Sequence, residues 1–126
     1  MREIKFRAWE NKNEIKGYTP VDDFSGQIHF IKLEDDFLQF VATRKNNYEL
    51  MQYTGLKDKN GVDIYEGDIV EKKPFLNKGV VIFTNGCFMI EIGENKSLDY
   101  VGEYIEVIGN IYENPELLEQ KWIKQH

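Results

Sequence analysis

Four carboxylates lie close together near the middle of the chain and are the first candidates for chemistry: Asp58, Asp63, Glu66 and Asp68. Carboxylate oxygens are the ligands that divalent cations such as Ca²⁺ prefer. The spacing lacks the EF-hand loop pattern and its terminal glutamate. Carboxylates in glycine-containing turns commonly accept hydrogen bonds from nearby backbone amides. We therefore predict a structural role for this cluster, with no metal and no other cofactor.

Nucleophilic catalysis would have to use one cysteine, Cys87, and two histidines, His29 and His126. A Cys–His pair would require Cys87 and His29 to meet in space. Cys87 precedes Phe88 and Met89 in a predicted hairpin strand, where a buried apolar side chain is expected. His29 is expected to be a structural residue of a strand. We therefore predict no catalytic residues and a protein that is not an enzyme.

Three glycines recur at intervals of six residues: Gly55, Gly61 and Gly67. This spacing matches neither the dinucleotide-binding fingerprint nor the P-loop, so a phosphate-binding loop is not indicated. We predict that they serve turns. Asp68, which follows Gly67, is expected to accept hydrogen bonds from loop amides at the entry to a strand.

A set of basic and aromatic side chains forms the candidate binding surface: Lys5, Arg7, Trp9, Lys57, Lys59 and Tyr65. Aromatic rings beside cations can stack on bases and contact phosphates of single-stranded nucleic acid. The alternative is that the outward face of the first strand is charged for solubility. A nucleic-acid-binding module is therefore the second hypothesis for function.

The charge balance favours a different kind of partner. The chain of 126 residues has 16 basic and 22 acidic side chains, for a net charge of −6. A duplex-binding protein normally has a net basic footprint, because phosphate neutralisation supplies much of the affinity. Tyrosine and tryptophan, which are common interface residues, are numerous in this chain. The first hypothesis is therefore a module that binds a protein partner or forms a homo-oligomer.

The same composition bears on location. Hydrophobic residues make up 41% of the chain and aromatic residues 13%, which is enough for a core. No apolar run approaches the ~20 residues of a membrane-spanning helix. The start of the sequence lacks the apolar region of a secretory signal. We therefore expect a cytoplasmic protein with no membrane partner and no identified small-molecule substrate.

The elements that must position these residues are mostly strands. In the first half, period-two alternation predicts a strand over residues 1–10, with Ile4, Phe6 and Ala8 on one face. Further strands are predicted over residues 15–21, 28–33 and 48–53, the first of these closing a hairpin with residues 1–10. Residues 34–42 fit either a helix, with Asp35 or Asp36 as its cap, or a strand, and the pattern leaves both open.

The second half has the clearer pattern, with strands predicted over residues 68–73, 79–84, 87–92 and 104–112. Asn85 and Gly86 join two apolar runs, which is the strongest short hairpin signal because a type I′ turn needs positive φ at both positions. Asn114 and Pro115 predict the start of a short helix. The fold class is therefore mainly β, with an N-terminal β-rich subdomain over residues 1–60. Residues 61–126 are expected to form an SH3-like small barrel closed by the helix, since curling removes exposed edges.

Three segments resemble the YopX family: MREIKFRAWE at the start, LMQYTGLKDKNGVDIYEGDIV in the middle and VIGNIYENPELL near the end. Residues 21–47 diverge from the family pattern. The resemblance implies an accessory protein encoded by a bacteriophage or prophage, with a role that is not established. It also implies an SH3-like barrel after Tyr65, and it supplies no catalytic residues.

Overall fold

The protein is described here by a computed structural model over residues 3–10, 26–44, 47–72, 77–93 and 96–118. Its chain divides into two compact units, Met1–Tyr53 and Thr54–His126. Most of the described residues lie in strands of two antiparallel sheets, with one short α-helix among them. The prediction of a mainly β fold is confirmed.

Strand β1 is central in the first unit, whose described elements are β1 Lys5–Glu10, β2 Gln27–Lys32, α1 Asp36–Ala42 and the start of β3 Tyr48–Lys57. Both β2 and β3 pair antiparallel with β1, so that Arg7 lies opposite Phe30 on one side and Met51 on the other. The predicted strand over residues 15–21 lies outside the described residues. The pairing partners of β1 in the structure are β2 and β3.

The open choice over residues 34–42 resolves to a helix, α1. Asp35 occupies the N-cap position, but its side chain makes no capping bond within the helix. Its Oδ2 instead accepts a hydrogen bond from the backbone N–H of Lys32, at 2.8 Å. The helix buries Val41 against Ala8 and Ile31, and so covers one face of the sheet. A helix that covers a sheet face satisfies the layer packing that a small core needs.

The described residues of the second unit form the end of β3, six further strands and a single 3-10 turn: β4 Asp63–Tyr65, β5 Asp68–Lys72, β6 Asn77–Thr84, β7 Cys87–Ile92, β8 Ser97–Tyr100, β9 Glu106–Asn110 and the 3-10 helix Pro115–Leu117. Five of these strands form a sheet in the order β8-β7-β6-β5-β9. Four of the five match predicted strands, with bounds that shift by a few residues. Strand β8 is the addition, because the sequence interpretation assigned no element there.

The β6–β7 hairpin follows the predicted turn chemistry. Asn85 and Gly86 both have positive φ, 52° and 80°, as a type I′ turn requires. Thr84 pairs with Cys87 directly across the turn. The expectation that Cys87 is buried is wrong: its thiol is exposed, and Sγ lies 3.6 Å from the carbonyl oxygen of Thr84. The cysteine adjoins the turn, so it lies at the end of the hairpin and not in the core.

Each face of this sheet carries a buried apolar cluster, because alternate residues of β5 and β6 contribute to different clusters. One cluster consists of Ile64, Val70, Val81, Ile90 and Ile105. On the opposite face, Ile69 and Val80 pack against Leu118. Leu118 directly follows the 3-10 turn, so this segment docks on the sheet.

The predicted cap at Asn114 takes a different form. Pro115 is at the first position of the 3-10 turn, as expected, but the side chain of Asn114 makes no bond to that turn. Its Oδ1 accepts a hydrogen bond from the backbone N–H of Asn110, at 3.1 Å. Asn114 therefore fastens the end of β9 and does not cap a helix.

Candidate functional site

Asp58 accepts hydrogen bonds from three backbone N–H groups. Its Oδ1 accepts hydrogen bonds from the backbone N–H groups of Asn60 and Val62, at 2.8 and 2.9 Å. Its Oδ2 accepts one from Val107, at 2.9 Å, across 49 positions of sequence. The residue is buried. Asp58 thus ties the loop after β3 to strand β9, which is a structural function for a carboxylate.

These contacts set the titration of Asp58. Burial raises the pKa of a carboxyl group, because it disfavours the charged form. The N–H donors of Val107, Val62 and Asn60, helped by the charge of Lys59, act in the other direction and outweigh burial. The pKa of Asp58 therefore lies below its ordinary value of 3.8. The loop is built to hold the ionised form.

The neighbouring carboxylates are also engaged. Asp68 is buried and its Oδ2 accepts a hydrogen bond from the backbone N–H of Tyr65, at 2.7 Å. Asp63 forms an ion pair with Lys57, with 2.6 Å between Oδ1 and Nζ. Within the described residues, no group of three or more His, Cys, Asp or Glu side chains is arranged to hold a metal ion. Asp58 and Asp68 thus bind the protein's own backbone, and Asp63 binds a lysine.

The three spaced glycines have positive φ in the structure, between 82° and 90°. Gly61 and Gly67 lie in loop or turn segments, which is the placement that the sequence indicated. Gly55 differs, because it lies inside β3 and not in a turn. A positive φ within a strand marks a local irregularity that a side chain disfavours.

Two residues of the predicted basic and aromatic surface are not exposed. Arg7 is only 6% exposed and Tyr65 only 4%, so both are buried side chains. Arg7 was expected on an outward face, but β1 lies between two strands and carries buried residues on both of its faces. The alternation in one strand does not show whether its polar face is covered by the rest of the protein. The expectation that Arg7 is exposed failed for this reason.

The lysines of that surface have acidic or aromatic neighbours. Lys59 Nζ lies 3.7 Å from a carboxylate oxygen of Glu106, and Lys57 is paired as described above. Lys5 Nζ lies 3.1 Å from Glu3 and 4.6 Å from the ring centroid of Tyr53. Trp9 is half-buried. The positive charge that a nucleic acid would need is therefore largely compensated at these positions.

In the first unit, polar groups of three strands converge beside α1. The hydroxyl of Tyr48 donates a hydrogen bond to Glu10 Oε1, at 3.2 Å. His29 Nε2 lies 3.6 Å from Glu10 Oε2. The ring of Phe37, from the helix, meets the rings of His29 and Tyr48 edge-on, with centroids 5.4 and 6.0 Å apart. His29 therefore lies packed between Glu10 and the ring of Phe37.

This arrangement perturbs Tyr48. Burial raises the pKa of its hydroxyl, and the negative charge and hydrogen bond of Glu10 raise it further, while Arg44 acts in the opposite direction. Arg44 stacks on the ring of Phe40, with 3.6 Å from Cζ to the centroid. These polar and aromatic side chains contact one another, and so they hold α1 on the sheet.

The second unit presents a different feature, an exposed apolar patch on β7 and β8 that the sequence interpretation missed. Tyr100 is 74% exposed and Leu98 is 48% exposed. Tyr100 pairs with Met89 and Leu98 pairs with Glu91, so these four side chains lie on one face. The signal in the sequence was the alternation Ser-Leu-Asp-Tyr over residues 97–100, which is short and follows a turn. We call Met89, Leu98 and Tyr100 the β8 surface.

The backbone beneath the β8 surface is held in place by side chains. Tyr100 donates its N–H to Asp99 Oδ1, at 2.8 Å, and its carbonyl accepts a hydrogen bond from the hydroxyl of Tyr104. Lys72 Nζ lies 3.4 Å from Asp99 Oδ2 and 4.7 Å from the centroid of the Tyr104 ring. Burial and the charge of Asp99 raise the pKa of Tyr104, while Lys72 lowers it. The β8 surface is therefore exposed but anchored.

The fold and these sites define a small, mainly β protein whose carboxylates support its own loops and whose second unit exposes an apolar strand surface. The chain belongs to the YopX family: residues 5–119 match the sequence model of that family, which is described as YopX protein. The resemblance noted from the three sequence segments is thus confirmed. None of the curated proteins matches the chain.

The solved structures that are similar to the chain include the following two. Protein EF1440 from Enterococcus faecalis is 30% identical, with a TM-score of 0.56; the match covers 94% of this chain and 100% of that protein. Protein yopX from Bacillus subtilis is 24% identical, with a TM-score of 0.50, over 91% of this chain and 98% of that protein. The second likeness concerns the fold alone. Among the described residues, no helix has both the length and the apolar character to span a membrane.

Proposed function

We propose that the chain is a non-enzymatic accessory protein of a bacteriophage or prophage that works by binding protein, either a partner or a copy of itself. The observation that carries this proposal is the β8 surface. Large apolar side chains that lie together on the outside of a protein commonly mark an interaction site. Tyrosine in particular gives large contact area at low entropic cost and is enriched among the residues that dominate binding energy.

The position of the patch supports the same function. Strand β8 is the last strand at one end of the sheet order, so its side chains are not flanked by a further strand of that sheet. Asp99 and Tyr104 hold its backbone at Tyr100, so the binding residues are presented in a fixed geometry. A preorganised surface loses less entropy on association than a flexible one.

The charges of the second unit support a protein partner over a nucleic acid. Lys57, Lys59 and Lys72 each lie within 4 Å of a carboxylate, and Lys78 Nζ donates to the carbonyl of Leu117 at 3.4 Å. Nucleic-acid affinity depends on lysines and arginines that can neutralise phosphates. The YopX family resemblance supports a phage or prophage origin, and we place the protein's work in the cytoplasm of the bacterial host.

The proposal is tested with a double variant of the β8 surface, Leu98→Ser with Tyr100→Ser. Sedimentation velocity over a wide concentration range measures self-association, and affinity purification from the bacterial host with quantitative mass spectrometry measures partner capture. We expect the double variant to lose the association or the captured protein. The matched control is Phe83→Ser, which removes another exposed aromatic ring of the same unit.

Two results would contradict the proposal. In the first, the double variant and the Phe83→Ser control would retain the same partner or the same assembly as the wild type. In the second, fluorescence anisotropy would detect binding to labelled single-stranded DNA or RNA that weakens with salt, while no protein association was found. The second result would make the chain a nucleic-acid-binding module.

A further inference from the structure

Arg44 lies just after the end of α1, where its guanidinium is held in one orientation. The group lies over the ring of Phe40, with 3.6 Å between Cζ and the ring centroid. Its Nη1 donates to the carbonyl oxygen of Phe40, at 3.2 Å, and to the hydroxyl of Thr43, at 3.3 Å. The carbonyls at the end of a helix lack partners within the helix, so Nη1 serves to cap α1.

These capping contacts use one of the three guanidinium nitrogens. Nη1 carries two of the five N–H donors, and Nε and Nη2 carry the other three. The Nε and Nη2 donors form the edge that can bind both oxygens of a carboxylate in parallel. Within the described residues, Nε and Nη2 of Arg44 make no hydrogen bond and no ion pair. The residue is exposed, so a ligand can reach this edge.

Arg44 differs in this respect from the basic side chains that pair with carboxylates. The Nζ atoms of four lysines lie within 4 Å of a carboxylate oxygen of this chain: Lys5, Lys57, Lys59 and Lys72. An arginine whose plane is already fixed by stacking and by Nη1 loses little side-chain entropy when a ligand binds to its remaining edge. The Nε–Nη2 edge of Arg44 is therefore a preorganised site for an oxyanion.

We propose that Arg44 anchors a second binding site, whose ligand is a carboxylate of a protein partner. Charge and shape agree, because the planar edge matches the two oxygens of an aspartate, a glutamate or a C terminus. Phe40 is 41% exposed, so apolar surface adjoins the anchor. Arginine and exposed aromatic rings are enriched together at protein interfaces. The partner segment therefore carries an acidic residue next to an apolar one.

Two observations favour a protein ligand over a nucleic acid. Phe40 stacks with Phe37, with centroids 5.7 Å apart and 15° between the ring planes, and also contacts Arg44. Phe37 precedes Phe40 by three positions and Arg44 follows it by four, so these neighbours approach the ring from opposite directions and leave no face on which a base could stack. Residues 1–53 have 8 basic and 9 acidic side chains, so the first unit also lacks the net positive charge that phosphates attract.

The test uses nuclear magnetic resonance of the full chain, in which the Nε–H signal of Arg44 reports on this edge directly. The probe is a short peptide of alternating glutamate and leucine, and the control probe has glutamine in place of every glutamate. We expect the glutamate peptide to shift the Arg44 signal saturably and the glutamine peptide to leave it unchanged.

Two variants separate the planar edge from charge alone. Arg44→Lys keeps the positive charge but lacks the edge, so its affinity for the glutamate peptide, followed through the backbone amide of Phe40, should fall about tenfold. Lys32→Gln removes a positive charge from another exposed residue of the first unit and should bind as the wild type does.

Three results would overturn the proposal. In the first, the Arg44 signal would not move with the glutamate peptide, or would move equally with the glutamine peptide. In the second, Arg44→Lys would keep the wild-type affinity. In the third, a thymidine oligonucleotide would shift the Arg44 signal at lower concentration than the glutamate peptide, which would assign the edge to nucleic-acid phosphates.

This inference does not rest on the β8 surface, because all of its residues lie in the first unit. The double variant Leu98→Ser with Tyr100→Ser should therefore bind the glutamate peptide as the wild type does. Loss of peptide binding in that variant would count against a separate site at Arg44. Failure of the β8 surface to bind protein would leave the Arg44 result unchanged, so the two proposals fail independently.

Discussion

The two units of this protein bury their interiors in different ways. In the second unit, one sheet carries an apolar cluster on each face, around Val81 and around Val80. In the first unit, the apolar cluster under α1 adjoins a half-buried group in which Glu10 accepts from Tyr48 and faces His29. Apolar burial dominates the second unit, and polar and aromatic contacts contribute more to the first.

The carboxylates of the two units also differ in the groups that donate hydrogen bonds to them. Asp58 and Asp68, in the second unit, accept from backbone N–H groups and so fix the path of the chain. Glu10, in the first unit, accepts from a side chain and so fixes how elements pack. A buried carboxylate that binds backbone has partners that substitution cannot remove, whereas one that binds a side chain depends on a second residue. The contrast predicts that removing a carboxylate that binds backbone lowers the free energy of unfolding more than removing one that binds a side chain.

The largest expected effect concerns the apolar core of the second unit. Ile105 is fully buried, so Ile105→Ala should lower the free energy of unfolding by about 2–5 kcal/mol through lost burial and the cavity left behind. Urea denaturation followed by circular dichroism measures the change. Leu98→Ala, at an exposed position, is the control and should be nearly neutral. A cost for Ile105→Ala below that of Ile31→Ala in the first unit would reverse the comparison between the cores.

The next effect concerns Asp58 and pH. Because the pKa of Asp58 is lowered on folding, its ionised form contributes stability above its unfolded pKa, about 3.9. That contribution is lost as the pH falls below this value towards the folded pKa. Asp58→Asn should cost about 2–3 kcal/mol at neutral pH, since it loses the charge that three amides bind.

The measurement for Asp58 is the free energy of unfolding of wild type and Asp58→Asn between pH 2 and pH 7. We expect the difference between the two proteins to shrink as the pH falls below about 4. Asp63→Asn, whose partner is the surface lysine Lys57, should change stability by less than about 1 kcal/mol. A difference that stays constant down to pH 2 would mean that the Asp58 charge does not stabilise the fold.

The sequence predicted the features of the fold that depend on local interactions better than those that depend on contacts between distant residues. The Asn85–Gly86 turn was predictable because its cause, positive φ at two adjacent residues, is local. The hold of Asp58 on Val107 was not predictable, because it joins residues 49 positions apart. The bond from the Tyr65 amide to Asp68 lies between these cases, and the sequence indicated its type.

The burial of polar and aromatic side chains was the property that the sequence predicted least well. The alternation in β1 identified the face that carries Arg7 but could not show that β2 and β3 flank the strand. Strand β8 was missed because four residues with two exposed apolar side chains resemble a loop after a turn. The candidate binding surface therefore moved from the lysines and Arg7 to Leu98 and Tyr100 once the sheet order was known.

A smaller effect is expected at the turn of the β6–β7 hairpin. Gly86 has φ of 80°, and a β-carbon added there would meet no other atom within 4 Å, so Gly86→Ala acts through backbone strain alone. The expected loss is about 1 kcal/mol of unfolding free energy, from the cost of a left-handed backbone for an L residue. Thermal denaturation of Gly86→Ala and Gly86→Asn measures it. Asparagine tolerates this conformation, so Gly86→Asn should lose less; equal losses would argue against the turn as the cause.

The smallest expected effect tests the polar group of the first unit. Tyr48→Phe removes the hydroxyl that donates to Glu10 and should cost about 1 kcal/mol at neutral pH. The pKa of Tyr48 is raised above its ordinary value of 10.0, so the contribution is full below pH 10 and is lost as the pH rises towards the folded pKa. Urea denaturation at neutral pH and above pH 10 should therefore show the wild type and Tyr48→Phe converging. A gap that widened with pH would mean that the Tyr48–Glu10 bond does not contribute to the stability of the first unit.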